Sequence, residues 1–165
     1  MADPIRRLTP LAETVGRLLK DRGETVAVSE SSTGGLVSAA LLSIPGASAY
    51  FMGGGVIYTH KAREVFLEID LDDHPGVRSA SEPFVRLTAA AVREKLGTTW
   101  GLAEAGAAGP TGNRYGDDAG HTCIAAAGPL ERAVTIETGH ADREDNMWRF
   151  AEETLTFFEA VLRDA

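Results

Sequence analysis

The 165-residue chain has the composition of a globular protein with an excess of negative charge. Hydrophobic residues make up 44% of it, and 24 Asp and Glu outweigh 16 Lys and Arg to leave a net charge of -8. That balance argues against nucleic acid or an anionic membrane surface as the main partner, because both carry negative charge themselves. No apolar run approaches the roughly 18 residues that a membrane-spanning helix needs.

The length indicates a single domain, and the cysteine usage fits a reducing compartment. A chain of 165 residues can bury a proper core as a single domain, residues 1–165. The lone cysteine, Cys123, excludes a disulfide within the chain, and its apolar neighbours predict a buried strand thiol. Met1–Arg7 lacks the long apolar core of a secretory signal. We therefore expect a cytoplasmic protein.

Helical and strand patterns alternate along the chain. Thr9 is predicted to cap the first helix, which Gly23 ends, and Ser81 and Asp142 are predicted caps of two later helices. In chain order the patterns predict helix 10–22, strand 25–29, helix 34–43, strand 49–58, helix 60–68, helix 82–96, strand 99–105, a glycine-rich loop 106–120, a hairpin of strands 121–127 and 132–138, and helix 143–163.

This alternation predicts an α/β fold, a single three-layer α/β/α domain with a mixed, mostly parallel sheet. In such sheets ligands bind outside the C-terminal ends of the strands. The turn after the first strand, the end of the second strand and the loop after the third are therefore expected to converge on one pocket.

The turn Ser29–Gly35 is the most informative segment of the chain. A short β-branched run ends in Ser-Glu-Ser-Ser-Thr-Gly-Gly, after which a helical pattern starts. Such a turn is expected to present hydroxyls and free backbone N–H groups at a helix N-terminus, where negative charge is favoured. It predicts a site for a phosphate-bearing or anionic small molecule, with ordinary helix capping as the alternative. It matches neither a dinucleotide fingerprint nor a P-loop.

Five segments together resemble a known family, the C-terminal domain of the competence/damage-inducible protein CinA. Their order and spacing match from about Leu11 to Leu162. The segments are Ser29–Gly35, Pro45–Ser48, Gly55–Tyr58, Gly106–Pro110 and Asp142-Arg143. The family's members are similar to nicotinamide mononucleotide amidohydrolases, which release ammonia from the carboxamide of a pyridine nucleotide. The resemblance implies no cofactor.

The resemblance also implies roles for individual residues. The expected catalytic residues are Ser31, Ser48, Tyr58 and Arg63. The expected substrate-binding residues are Ser32, Thr33, Gly34, Gly35, Gly109 and Arg143, the last of them for the nucleotide phosphate. Each has a structural alternative: a turn cap for Ser48, a half-buried strand-end aromatic for Tyr58, and a solvated helix residue for Arg63.

Three positions depart from the family pattern. Ser32 replaces a cysteine, Arg63 replaces a lysine, and Ala105 replaces a threonine. An arginine stays protonated in proteins, so Arg63 is unsuited to take a proton from a serine. Lys61 is expected on another helix face, so it is no simple substitute for the missing lysine. His60 lies beside Tyr58 in the sequence and is the alternative group that could take the proton.

Two function hypotheses follow. The first is an amidohydrolase acting on nicotinamide mononucleotide or another amide that suits the altered pocket. The second is a pyridine-nucleotide-binding or regulatory module that has lost catalysis through Arg63 and Ala105. The four histidines have no spacing that suggests a metal site. The Phe157/Val161 edge of the last helix predicts either self-association as a homo-oligomer or burial under a neighbouring helix.

Overall fold

The computed structural model describes residues 7–165, and its elements follow the predicted order. The helices are α1 (Thr9–Arg22), α2 (Leu36–Leu42), α3 (His60–Ala62, continued by a π-helical turn Arg63–Leu67), α4 (Glu82–Leu96) and α5 (Arg143–Asp164). The strands are β1 (Val26–Glu30), β2 (Phe51–Val56), β3 (Trp100–Ala107), β4 (His121–Ala127) and β5 (Arg132–Glu137). Two short 3₁₀ turns cover Ala47–Ala49 and Leu71–Asp73.

Local capping chemistry sets several helix ends where the sequence predicts them. Ser81 and Asp142 each accept a hydrogen bond from the backbone N–H three residues further on, at the start of α4 and α5. Gly23 ends α1 in the left-handed conformation, with φ 64°. The prediction for Thr9 is wrong, because Thr9 is the first residue of α1 and Leu8 occupies the capping position.

The sheet has the strand order β2-β1-β3-β4-β5. Strand β1 pairs in parallel with β2 and with β3. Strand β4 is antiparallel to β3 and β5 is antiparallel to β4, so four of the five strands point in one direction. The mixed α/β sheet that the sequence predicts is confirmed. The C-terminal ends of β1, β2 and β3 lie at one edge of the sheet, which is where the sequence predicts the ligand pocket.

Helices cover both faces of the sheet and give the predicted three layers. On one face, α1, α2 and α5 pack on the larger core, where Leu19, Leu41 and Phe158 meet Val28 and Leu102 of the strands. On the other face, α4 and the segment after β2 pack on two smaller clusters around residues such as Ala103 and Ile57. The buried thiol predicted for Cys123 is confirmed, since it lies in one of these clusters.

The Phe157/Val161 edge of α5 is covered by the chain itself. Val161 is fully buried in the larger core, and Phe157 packs against that core. Of the two interpretations of this edge, burial under a neighbouring helix is confirmed, and self-association stays a prediction. Within residues 7–165 no helix combines the length and the apolar character that crossing a bilayer requires.

Candidate functional site

A cavity of about 420 Å³ opens at the C-terminal edge of the parallel strands. It is lined by Ser31 after β1, by Tyr58 and Arg63 after β2, and by Ala105 and Gly106 at the end of β3. We call it the strand-end cavity. The predicted convergence of the three segments on one pocket is confirmed for these residues, because parallel neighbours end at the same edge of a sheet.

A second cavity of about 280 Å³ lies beside the first, under the loop that follows β3. Ser32, Gly109 and Arg143 line it, and it shares Tyr58 and Gly106 with the strand-end cavity. We call it the loop cavity. The two cavities together contain most of the residues that the sequence singles out, with Tyr58 between them.

Glu104 anchors the turn that carries Ser31. The residue is 2% exposed. Its carboxylate accepts hydrogen bonds from Ser31 N (3.2 Å), Thr33 N (2.9 Å), Thr33 Oγ1 (2.9 Å), Thr122 Oγ1 (2.7 Å) and Ser32 Oγ. Burial raises the pKa of Glu104, and the hydrogen bonds from Ser32, Thr122 and Thr33 oppose that rise. Sequence analysis missed this residue, although a carboxylate inside an apolar strand pattern was a signal.

A second buried carboxylate, that of Glu30, satisfies the start of α2. It accepts hydrogen bonds from Val37 N and Ser38 N, both at 2.9 Å. Most donors of the turn therefore face the carboxylate of Glu104, and our interpretation of these groups as free donors for an anionic ligand is wrong, whereas the Ser31 hydroxyl bonds to neither carboxylate and Ser31 lines the strand-end cavity. The hydroxyls of Ser32 and Thr33 point at Glu104, as do two backbone N–H groups of the turn.

Gly34 and Gly35 serve the path of the chain. Their φ values of 62° and 97° lie in the left-handed region, which favours glycine. A Cβ on Gly34 would lie 3.0 Å from Met147 Cε of α5. Neither glycine lines the strand-end cavity or the loop cavity. Their predicted role in binding stays a prediction.

Arg63 is buried in the wall of the strand-end cavity. It is 4% exposed, and its Nε donates to the carbonyl oxygen of Ile69 at 3.1 Å. The alternative of a solvated helix residue is therefore wrong. Lys61 does face elsewhere, as predicted: its side chain is exposed and pairs with Glu64.

Arg114 and Tyr115, which sequence analysis did not identify, form the outer wall of the same cavity. Arg114 Nη2 lies 3.0 Å from His60 Nε2 and 3.0 Å from Tyr115 Oη, and its guanidinium carbon lies 5.1 Å from the centre of the Tyr115 ring. Burial raises the pKa of Tyr115, but hydrogen bonds from Arg114 and Ser79 and the charges of Arg114 and Arg63 outweigh it, so the pKa is lowered. The residues come from a loop without a local motif.

Tyr58 and Arg143 join the two sides of the loop cavity. Tyr58 is 59% exposed, so the half-buried alternative is wrong. Its hydroxyl oxygen accepts from Arg143 Nη2 at 3.2 Å, while Arg143 Nη1 donates to the Gly109 carbonyl at 2.5 Å. Arg143 thus holds the loop after β3 next to Tyr58.

An ion pair fixes the loop that carries Arg114. Arg78 donates two hydrogen bonds to Asp117, at 2.6 and 3.0 Å, and Asn113 Nδ2 donates to the same carboxylate at 2.7 Å. The hydrogen bond from Arg78 is the main cause that lowers the pKa of Asp117. This bidentate pair ties the loop to the segment before α4.

Ser48 lies at the opposite edge of the sheet. It is exposed on the turn Ala47–Ala49 that leads into β2, and the pairing of Phe51 with Val26 puts that turn beside the start of β1. The four residue steps from Val26 to Glu30 span about 13 Å at the usual strand rise. The expectation that Ser48 shares the pocket of the other segments is therefore wrong within this chain.

Comparison with known proteins identifies the family. The sequence pattern of the CinA C-terminal domain matches residues 8–162. The chain belongs to the CinA C-terminal domain family. A CinA-like protein from Prochlorococcus marinus is 43% identical over 119 residues, which cover 72% of the chain and 28% of that protein. One from Chlorobium limicola is 35% identical over 152 residues, covering 89% of the chain and 35% of that protein.

Solved structures of the CinA superfamily share the fold. One from Klebsiella pneumoniae superimposes with a TM-score of 0.89 over 96% of this chain and 99% of that one, at 23% identity. One from Enterobacter cloacae gives a TM-score of 0.87 at 25% identity, over 94% and 92% of the two chains. This CinA domain spans about a third of the length of the curated relatives named above.

The three departures of this CinA domain from the family pattern lie around the two cavities. Arg63 and Ala105 line the strand-end cavity, and Ser32 lines the loop cavity with its hydroxyl turned to Glu104. The three positions therefore lie in the candidate site itself. Arg63 keeps the positive charge of a lysine but cannot give up its proton, and Ala105 lacks the hydroxyl of a threonine.

Proposed function

We propose that this CinA domain is an amidohydrolase that acts on the carboxamide of nicotinamide mononucleotide. Water adds across the C–N bond, which breaks to give nicotinate mononucleotide and ammonia. The observation that carries the proposal is that Ser31, Tyr58 and Arg63 line one cavity at the strand ends. The resemblance implies catalytic roles for these three positions, and membership of the family supports a hydrolase.

Ser31 is the nucleophile in this proposal, because Ser48 lies at the other edge of the sheet. Its Oγ attacks the carboxamide carbon, and the C–N bond of the resulting tetrahedral species breaks. The hydroxyl proton leaves with ammonia, and the nucleotide remains as an ester of Ser31. Water then hydrolyses that ester and restores the hydroxyl.

The negative charge that develops on the carboxamide oxygen needs hydrogen-bond donors. Tyr58 carries a hydroxyl at the mouth of the cavity, with its oxygen held by Arg143 Nη2. Its hydrogen is therefore available to the substrate. A well-placed donor to such an oxygen contributes about 3–4 kcal/mol to the transition state.

An assay of ammonia release with matched serine variants tests the proposal. The purified chain is expected to release ammonia from nicotinamide mononucleotide, and Ser31→Ala is expected to abolish the release. Ser48→Ala is the control, since Ser48 is exposed and lines neither cavity. Release at the level of buffer alone by the wild-type chain contradicts the proposal, as does full activity of Ser31→Ala.

A specific observation favours the second candidate, a pyridine-nucleotide-binding or regulatory module. Among residues 7–165, no side chain accepts a hydrogen bond from the Ser31 hydroxyl, and the position of the family's lysine holds the permanently charged Arg63. For this candidate, calorimetry detects nucleotide binding while no ammonia is released. Arg63→Lys then gains activity, because a lysine of lowered pKa can take the serine proton.

A further inference from the structure

The charged side chains that line the strand-end cavity are all basic. They are Arg63 and Arg114, with His60 beside Arg114, and no Asp or Glu of residues 7–165 lines the cavity. This is unexpected in a chain in which 24 acidic side chains outnumber 16 Lys and Arg. Two guanidinium groups facing one cavity without a carboxylate attract an anionic ligand.

The charge of Arg63 is buried without a counter-ion. The residue is 4% exposed, and its guanidinium has a neutral partner, the carbonyl of Ile69. Of the carboxylates in residues 7–165, none forms an ion pair with it. Burying a charge is costly unless it is paired, so an anion in the cavity stabilises Arg63.

Arg114 is also held without a carboxylate. Its Nη2 contacts His60 Nε2 and the Tyr115 hydroxyl, each at 3.0 Å, and it forms no ion pair with a described carboxylate. The Tyr115 ring lies against Arg114 at 5.1 Å and against Arg78 at 5.5 Å, which positions Arg114 before a ligand arrives.

Arg143 is a weaker candidate for the same role. It is exposed, so water already solvates its charge, and two of its nitrogens are engaged by Gly109 and Tyr58. It also stands in the first turn of α5, next to Glu144 and Asp145. The need for a counter-ion is therefore greatest at the buried Arg63. Arg114 is exposed like Arg143, but it lines the same cavity as Arg63, whereas Arg143 does not.

We infer that Arg63 and Arg114 form the binding site for a phosphomonoester, with His60 and Tyr115 as additional polar contacts. A guanidinium matches the geometry of phosphate oxygens with two parallel hydrogen bonds. The inference rests on the proposed function for the rest of the ligand, a pyridine nucleoside whose carboxamide reaches Ser31. It assigns Arg63 to the phosphate of the ligand in place of the catalytic role that the resemblance implies, so that the proposed reaction then depends on Ser31 and Tyr58.

Calorimetric titration of the full chain tests the inference without any need for turnover. The probes are inorganic phosphate, nicotinamide mononucleotide and nicotinamide riboside, which lacks the phosphate. We expect the nucleotide to bind more tightly than the riboside and inorganic phosphate to compete with it. Arg114→Met is expected to weaken nucleotide binding by about tenfold or more and to leave riboside binding unchanged.

Two further variants make the result specific. Arg163→Met, which removes an exposed arginine paired with Glu159 on α5, is the control and is expected to bind the nucleotide normally. Arg63→Met is expected to act like Arg114→Met. If it fails to fold, Arg114→Met decides, because Arg114 is exposed. Arg143→Met tests the competing assignment, in which Arg143 binds the nucleotide phosphate.

Equal affinity for nucleotide and riboside overturns the inference. So does normal nucleotide binding by Arg114→Met, or a loss confined to Arg143→Met. If the nucleotide binds more tightly than the riboside but no ammonia is released, the result contradicts the proposed reaction and supports the phosphate site. Ammonia release with a KM that Arg114→Met does not change supports the proposed reaction and contradicts the phosphate site. A fall in kcat alone on Arg63→Met assigns that residue to the transition state and contradicts its role in phosphate binding.

Discussion

At the scale of single residues, the decisive feature is the reciprocal arrangement of Glu104 and the turn before α2. One carboxylate oxygen accepts from Ser32 Oγ and Thr122 Oγ1, and the other accepts from Ser31 N and from both Thr33 N and Thr33 Oγ1. All five groups are donors, which suits a carboxylate. The polar turn that the sequence presents as a receptor for an external anion thus has an internal one.

Glu104→Gln is expected to destabilise the fold by about 1–3 kcal/mol. Whichever way the amide turns, its NH2 replaces an oxygen that accepts at least two hydrogen bonds. With the NH2 at the position of Oε2, the backbone N–H groups of Ser31 and Thr33 lose their acceptor and cannot reverse. With the NH2 at the position of Oε1, the hydroxyls of Ser32 and Thr122 have to reverse and accept, and the backbone N–H groups donate to a neutral oxygen instead of a charged one, which weakens those hydrogen bonds. Urea unfolding measures the difference, with Glu94→Gln on the exposed face of α4 as control. Equal unfolding midpoints for the two variants would mean that Glu104 does not hold the turn.

At the scale of elements, the position of α4 depends on a close approach to β3. A Cβ on Gly101 would lie 1.9 Å from the carbonyl oxygen of Ala89 and 2.8 Å from Arg93 Cβ. The first of these is backbone, which cannot move without shifting the helix. Gly101 therefore sets how closely α4 packs on the face of the sheet that carries the strand-end cavity.

Gly101→Ala is expected to lower the free energy of unfolding by about 1–3 kcal/mol, because the overpacked helix has to move. Gly53→Ala in β2 is the matched control. Its Cβ would meet only Leu96 Cδ1 at 2.9 Å, the end of a flexible and half-exposed side chain. Comparison of the denaturant midpoints checks the prediction, which is contradicted if the two alanine variants are equally stable.

The elements also show what the sequence can predict. The ends of α4 are predicted to the residue, because Ser81 and Gly97 act through bonds within a few residues. Strand β3 is predicted to end at Ala105 but continues to Ala107, where its partner is His121 of β4. Strand ends depend on the neighbouring strand, and no local signal encodes them.

At the scale of the whole molecule, the sheet decides which sequence motifs can meet. Ser31 and Tyr58 follow parallel neighbours and so reach one cavity, as the alternating pattern predicts. Ser48 precedes its strand and lies at the opposite edge, although its motif is as close in sequence to Tyr58 as any other. Arg114 and Tyr115 reach the cavity from a long loop, and the tertiary contacts that place them are absent from any local pattern.

His121 of β4 contacts β5, the segment before α4 and the loop after β3, and its ionisation makes the stability of the whole molecule depend on pH. Its Nδ1 lies 2.5 Å from Glu137 Oε1, and its Nε2 lies 2.8 Å from the Ala80 carbonyl and 3.5 Å from Asp117. Cys123 Sγ also faces it, at 3.6 Å from Nε2. Burial lowers the pKa of His121, but the hydrogen bond to Glu137, the carbonyl of Ala80 and the charge of Asp117 outweigh it, so the pKa is raised.

A histidine whose pKa is higher in the folded than in the unfolded chain binds more protons when folded. Its contribution to stability is therefore complete below the unfolded value of about 6.5 and is lost as the pH rises through the folded pKa. We expect the free energy of unfolding of the wild-type chain to fall relative to that of His121→Gln between pH values of about 6 and 8. Urea titrations at both pH values measure this difference, and His74→Gln is the control that should keep the wild-type slope. The prediction is contradicted if the difference in the free energy of unfolding between wild type and His121→Gln stays constant with pH or grows above the folded pKa. Protonated His121 would then not stabilise the contacts of β4 with Glu137, Ala80 and Asp117.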